Sequence, residues 1–334
     1  MKIVRFEEYG GPLVIVDEPE PELQKGQLLI KMSYTAINMR DINIRAGLFR
    51  NFPPPMGVTS HILGNEGSGI VVASAGEQEI YPLGTPVIFR EAYHLPHGGT
   101  WQEYVVATPQ DVVLLPEGKD VRQAAALRTA YQSAYLALEI GGFSFTDASE
   151  QVVLATAVGS GTGNAALQIA RAYGAKQVIS TAGSSAKANK AQELGFHEVI
   201  DLSRETLVEG VKRLTNSEGT DVALDVLGGP YIAQALSTLK IGKTLVVIGN
   251  AAGDFQISLS IFELMAKRRS MRSLNVILTP LPERAHALQE ILRLWQTDAI
   301  TPLVDRVFPF TEVEEAQRYY TDHRPLGKVL LSFE

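Results

Sequence analysis

The sequence predicts an α/β protein in which a partly open, β-barrel-like domain precedes a doubly wound parallel sheet. Three observations carry this. Short apolar runs punctuated by Gly and Pro fill the first third, strands alternate with helices from residue 151 onward, and a glycine-rich turn opens that alternation. A length of 334 residues suits two domains rather than one large core.

The elements follow in order. Leu28-Leu-Ile-Lys-Met-Ser-Tyr, Gly69-Ile-Val-Val-Ala and Pro86-Val-Ile-Phe read as strands. Pro19, Pro21, Pro53, Pro54 and Pro55 fall between such runs, because proline cannot sit in a central ladder. Gln123-Ala-Ala-Ala-Leu opens a helix-prone stretch, and Gln151-Val-Val-Leu-Ala-Thr-Ala reads as a buried strand. Ala166, Ile169, Ala170 and Tyr173 then recur at helical spacing. Strands at Gln177-Val-Ile-Ser-Thr, Glu198-Val-Ile-Asp, Asp221-Val-Ala-Leu-Asp and Thr244-Leu-Val-Val-Ile alternate with helices over 186–194, 205–215 and 231–239. That density belongs to a nucleotide-binding sheet. Leu288, Ile291, Leu292 and Trp295 form a helix stripe after Pro282, where proline suits a helix start. Lys328-Val-Leu-Leu-Ser-Phe reads as a strand returning to the first domain, since the last segment is too small to bury a core. The expected division is 1–123, completed by 281–334, around 124–280.

Composition narrows the function. Lysine and arginine number 30 against 37 aspartates and glutamates, a net charge of −7 that argues against tracking nucleic-acid phosphates. With no cysteine there is no disulfide framework, thiol nucleophile or thiolate metal site. No apolar run reaches the roughly 18 residues of a membrane span. Met1-Lys-Ile-Val-Arg-Phe-Glu-Glu has no apolar signal region, so the expected location is the cytoplasm, with no membrane partner.

Val158-Gly-Ser160-Gly161-Thr162-Gly163-Asn-Ala-Ala166 lies between a predicted strand and a predicted helix. Gly161-x-Gly163-x-x-Ala166 fits the dinucleotide fingerprint. The first Gly allows a tight turn, the second lets a pyrophosphate approach, and the small third residue lets helix and strand pack. The helix N-terminus offers its N–H groups to the phosphate. Cofactor identity turns on the end of the second strand, where an NAD reader places Asp or Glu. Here the chain reads Thr181-Ala-Gly183-Ser184-Ser-Ala-Lys187, with no acid until Glu193. Ser184, Ser185 and Lys187 are instead donors for a 2′-phosphate, so NADPH is expected; a solvated loop with a helix cap at Ser184 or Ser185 is the alternative.

These residues resemble a known family, the zinc-independent medium-chain dehydrogenase/reductases, which include quinone oxidoreductases and enoyl-thioester reductases. The similarity runs nearly end to end. It comprises Ala36-Ile-Asn-Met-Arg-Asp-Ile-Asn, Leu63-Gly-Asn-Glu-Gly-Ser-Gly-Ile-Val, Gly99-Thr-Trp-Gln-Glu-Tyr, Ala124-Ala-Ala-Leu and Ser133-Ala-Tyr, then the glycine turn, Asp225-Val-Leu-Gly-Gly, Ile248-Gly-Asn-Ala-Ala-Gly and Gly327-Lys-Val-Leu-Leu. The resemblance implies a GroES-like catalytic domain (1–123 with 281–334), a Rossmann domain (124–280), and a homodimer joined edge to edge through the Rossmann sheets. It also implies that Leu227, Gly249 and Asn250 line the cofactor cleft. Lys328 is a candidate to neutralise a cofactor phosphate, or simply a solvated surface lysine.

Zinc-dependent members of the resembled family carry Cys where Asn38 stands and His where Asn65 stands. Asparagine is not a usual zinc ligand, and the pair His94-x-x-His97 has no third ligand in view, so no metal is expected. Without a Lewis acid, an activated small-molecule acceptor fits best: a quinone or electron-poor alkene, with charge gathering on its oxygen after hydride addition. The resemblance offers the Asn38 side-chain NH2 as donor to that oxygen; Asn38 fixing its own loop is the alternative. Many relatives carry Tyr in a Gly-x-Tyr step where this chain reads Gly47-Leu48-Phe49, and Phe49 has no proton to give. Tyr131, large and polar where relatives are small, is a candidate substitute donor or simply a packed helix residue. Two rivals remain: a 2-enoyl-thioester reductase, and a non-catalytic NADPH-binding protein.

Overall fold

The computed structural model describes residues 1–333 apart from 55, 58, 59, 77–79, 93 and 255; Pro55, read above as loop, lies outside the described residues. Two compact units result, residues 1–129 with 302–334, and residues 130–301.

In the first unit β1 (Lys2–Phe6) and β2 (Leu13–Asp17) form an antiparallel ladder. The spine is β3 (Leu28–Ala36), followed by a short helix, α1 (Met39–Arg45). Antiparallel to β3 run β4 (Gly67–Ser74) and, on the other side at its start, β6 (Tyr104–Ala107). The sheet continues from β4 through β5 (Pro86–Phe89) to β7 (Val112–Leu114). Leu28, Ile30, Met32, Val71, Val87, Phe89 and Val105 fill the core between these strands. Helix α2 (Val121–Ile140) begins in this unit.

The second unit alternates strictly. Strand β8 (Val152–Ala155) leads to α3 (Gly161–Ala172), β9 (Gln177–Ala182) to α4 (Ser185–Glu193), and β10 (Val199–Asp201) to α5 (Leu207–Leu214). Then β11 (Thr220–Asp225) leads to α6 (Pro230–Thr238), β12 (Leu239–Val247) to α7 (Ile261–Ala266), and β13 (Ser270–Ser273) to α8 (Leu281–Gln296). All six strands are parallel, in the order β10-β9-β8-β11-β12-β13. This is the doubly wound order, with the switch point between β8 and β11, and ligands bind such sheets at the carboxyl ends of the strands. Val152, Leu154, Ile179, Ile200, Ala223 and Leu245 bury one face of the sheet under α5 and α6.

Past residue 301 the chain completes the first unit. Strand β14 (Val304–Pro309), helix α9 (Val313–His323) and strand β15 (Lys328–Ser332) follow, with β14 parallel to β15 and β15 antiparallel to β3.

The expected division needs correcting at both ends. The break at 123/124 falls inside the first turn of α2, a helix that begins at Val121 and runs without interruption past the division between the units. Helix α8, grouped by sequence with the returning segment, lies in the second unit. There its Glu290 accepts a 2.8 Å hydrogen bond from Tyr173 at the end of α3, while Leu288, Ile291 and Trp295 are buried.

Candidate functional site

At the carboxyl end of β8 the chain turns into α3. Ser160 is the N-cap, and its hydroxyl accepts from the amide of Gly163 at 3.4 Å. Gly161 and Thr162 open the helix, and among the described residues no acceptor reaches their amides. These are the free N–H groups that an anion takes up at a helix N-terminus.

The glycines' roles differ from those expected. The left-handed residue of the turn is Ala157, at φ 59°, and not Gly161. A Cβ on Gly163 would lie 2.3 Å from the carbonyl oxygen of Ala157 and 2.5 Å from that of Thr156. Gly163 therefore lets the helix start press on its own entering turn, the task the fingerprint gave to Ala166, and its bare Cα is not a space kept for phosphate.

The next crossing of the sheet is locked by backbone bonds. Ile248 donates to the Asp225 carbonyl at 2.8 Å and Ala252 to the Leu227 carbonyl at 2.7 Å. A Cβ on Gly249 would sit 2.9 Å from the Val226 carbonyl. Between these segments the Asn250 amide is held with both its oxygen and its nitrogen buried and unpartnered among the described residues. A buried amide left unsatisfied costs about 1–3 kcal/mol, which a bound polar group recovers.

At the carboxyl end of β9, Gly183 is exposed and a Cβ there would meet nothing within 4 Å. Ser184 caps α4 and accepts from the amide of Lys187 at 3.4 Å, which places Lys187 in the first turn. An acid does reach this corner, contrary to the local reading. Asp201, the last residue of β10, is in register with Ala182 and accepts from the Ser185 hydroxyl at 2.5 Å. The available signal was that neighbouring strands of a parallel sheet end side by side, so the acid closing Glu198-Val-Ile-Asp belongs beside the 183–187 loop.

In the first unit Asn38 begins α1, and its backbone N–H donates to Asp41 at 2.8 Å. Its side chain joins a buried ionic cluster that the sequence did not disclose. Lys328 donates to Asn38 Oδ1 at 2.5 Å and pairs with Glu66 Oε1 at 2.7 Å, the two ionic side chains being 8% and 1% exposed. Asn38 Nδ2 donates to the same Glu66 oxygen at 3.1 Å, and the Thr129 amide donates to the other at 2.7 Å. Arg128 adds a second buried cation and donates to the Asn65 carbonyl at 2.7 Å. Burial pushes the Glu66 carboxyl up, but the charges of Lys328 and Arg128, with the Lys328 and Thr129 hydrogen bonds, outweigh it and hold the group below its usual value.

Two expectations change here. Lys328 is neither beside solvent nor reaching for a phosphate: its ammonium is spent on Glu66 and Asn38. The Asn38 NH2 is likewise engaged by Glu66, so what the cluster fixes is the entry to α1.

Tyr131 is also reassigned. Its hydroxyl donates to the Thr301 carbonyl at 2.9 Å and accepts from Gln168 at 2.9 Å, and the residue is buried. The hydroxyl proton is thus given to the Thr301 carbonyl, and burial raises the phenol above its ordinary range despite the Gln168 bond. Tyr131→Phe is expected to cost about 1 kcal/mol in urea denaturation and to leave kcat unchanged. A tenfold fall in kcat with an unaltered fold would restore Tyr131 to the chemistry. Phe49 stacks under the Arg40 guanidinium at 4.7 Å from its centroid. His94 contacts Asp111 at 3.1 Å, and among the described residues no three His, Cys, Asp or Glu side chains gather as a metal site.

A barrel-like domain completed by the returning strand β15, and a six-stranded parallel sheet whose first helix leaves the Gly161 and Thr162 amides unpartnered among the described residues, form the architecture of a nucleotide-binding α/β protein. The comparisons agree. The alcohol dehydrogenase GroES-like domain model matches residues 24–117, and the model described as zinc-binding dehydrogenase matches 161–293. The chain is 29% identical over 323 residues to a quinone oxidoreductase of Pongo abelii, covering 95% of this chain and 92% of that one. It is 28% identical over 323 residues to a synaptic vesicle membrane protein VAT-1 homolog of Homo sapiens, covering 92% and 79%. Among solved structures, the CurK enoyl reductase superposes with a TM-score of 0.84 at 25% identity over 99% of this chain and 98% of that one. An alcohol dehydrogenase superfamily protein of Novosphingobium aromaticivorans gives 0.83 at 25% identity over all of both chains. The chain belongs to the medium-chain dehydrogenase/reductase superfamily of oxidoreductases, whose members bind a nicotinamide cofactor. Among the described residues no helix is long and apolar enough to cross a membrane.

Proposed function

We propose that this protein reduces a quinone or another electron-poor alkene, such as an enone, with NADPH as the hydride source. The observation that carries the cofactor part is the unpartnered set at the strand ends: the Gly161 and Thr162 amides and the buried Asn250 amide. The first pair suits a pyrophosphate and the third the polar edge of a nicotinamide ribose or carboxamide. Ser160, Gly163, Leu227 and Gly249 hold those groups in place. Gly183 leaves room at the adenosine corner, where Ser184 and Lys187 would face a 2′-phosphate.

When bound, the nicotinamide supplies hydride to a carbon conjugated with a carbonyl. The chain's part is to bind and orient the two reactants. Phe49 offers no acid and the Tyr131 proton is committed, so the reduced oxygen takes its proton from water, which suits a hydroquinone anion better than an enoyl thioester. Lys328 and Glu66 fix Asn38, and with it the start of α1.

The quinone oxidoreductase relative supports this acceptor class. The test follows NADPH absorbance with 1,4-benzoquinone, a small enone and a crotonyl thioester. Turnover of the first two is expected. Thioester turnover alone would favour the enoyl-thioester reductase, and NADPH binding without turnover of any acceptor would favour a non-catalytic binding protein.

A homodimer is part of the same proposal. Strand β13 ends the sheet with all four residues exposed, and Ile261, Phe262 and Met265 of α7 are 66%, 70% and 70% exposed. An edge unpaired among the described residues, beside such a patch, suits a second copy of this chain. Sedimentation at the monomer mass would refute it.

A further inference from the structure

The corner that would select between NADPH and NADH contains a carboxylate, and its geometry bears on that choice. Asp201 closes β10 directly beside Ala182 of β9, the strand whose exit carries Gly183, Ser184 and Lys187. The adenine ribose lies over this strand end in a sheet of this kind. A serine hydroxyl has one proton, and that of Ser185 is given to Asp201 Oδ2. Ser185 therefore turns lone pairs outward, and lone pairs accept from a ribose 2′-hydroxyl but repel a phosphate oxygen. The remaining Asp201 oxygen accepts from the Ser203 amide at 3.0 Å and the Ser203 hydroxyl at 2.6 Å. Arg204 Nε approaches Oδ2, the oxygen bound by Ser185, to 3.4 Å from a side chain that is 76% exposed. The hydrogen bonds from Ser185 and Ser203 keep the carboxyl below its usual value, so it is charged at neutral pH.

We infer that Asp201 is a cofactor-selectivity residue, whose charge and hold on Ser185 weaken the preference for a 2′-phosphate that the 183–187 loop would otherwise confer. The inference rests on the nucleotide site proposed above. The corner holds opposing elements, Lys187 attracting the phosphate and Asp201 opposing it. The consequence is a chain that accepts NADH more readily than its loop sequence suggests.

Calorimetry with 2′,5′-ADP and 5′-ADP tests the inference without any acceptor. Asp201→Asn is expected to tighten 2′,5′-ADP by about fivefold and to change 5′-ADP by less than about twofold, since it removes one negative charge near a second. Ser185→Ala provides an independent arm. It is expected to weaken 5′-ADP by about threefold, through loss of one hydrogen bond accepted from the 2′-hydroxyl, and to tighten 2′,5′-ADP, because the repelling lone pairs are gone. An unchanged or weaker affinity of Asp201→Asn for 2′,5′-ADP overturns the inference while the site itself stands. Failure of both probes to bind the parent protein overturns the nucleotide site, and the inference with it.

Discussion

Glu66→Gln is expected to destabilise the first unit by about 3–5 kcal/mol, because it leaves the Lys328 ammonium buried without its counter-charge. In a thermal melt that is a fall of roughly 10 °C. The pH dependence follows from the direction of the Glu66 shift. The folded group titrates below its usual 4.5, so its contribution is whole above that pH and is lost as pH falls through the folded value. The variant should lack this acid-side slope. Adding Lys328→Met should recover part of the loss, since a methionine of similar volume removes the stranded charge. A Glu66→Gln melt superimposable on the parent's would show that the pair carries no net stability.

Gly163→Ala is expected to weaken NADPH binding at least about tenfold and to cost about 1–3 kcal/mol in stability. The added methyl meets two backbone carbonyls, those of Ala157 and Thr156, and backbone cannot swing aside as a flexible side chain can. The start of α3 has to move, and the Gly161 and Thr162 amides move with it. Calorimetry with NADPH and far-ultraviolet dichroism separate the two effects. Parental affinity in this variant would mean that the amides at the α3 start do not hold the cofactor.

What the sequence disclosed was local, and what it concealed was distant. The strand–turn–helix at 151–172 was legible because the apolar run, the glycines and the helix stripe are contiguous. The cap at Ser184 was legible for the same reason. Asp201 meets Ser185 across 16 positions, and nothing within either strand's own exit marks that meeting. Lys328 meets Asn38 across 290 positions, and nothing local marks a lysine as buried when Gly-Lys-Val reads equally well as a strand start at the surface. The phenol of Tyr131 is the same case: its partner carbonyl at Thr301 lies 170 positions away. Strand β13 carries no apolar alternation, since Ser-Met-Arg-Ser is exposed throughout, and only its neighbour β12 defines it.

The split of the first unit around the second has a consequence for synthesis. Residues 130–301 form one unbroken stretch and can fold while the ribosome is still adding to the chain. The barrel cannot close its sheet until β15 has been made, and until then Glu66 waits without its lysine. A nascent chain stalled before residue 328 would thus pair a finished nucleotide module with an unfinished amino-terminal one, a natural client for chaperones.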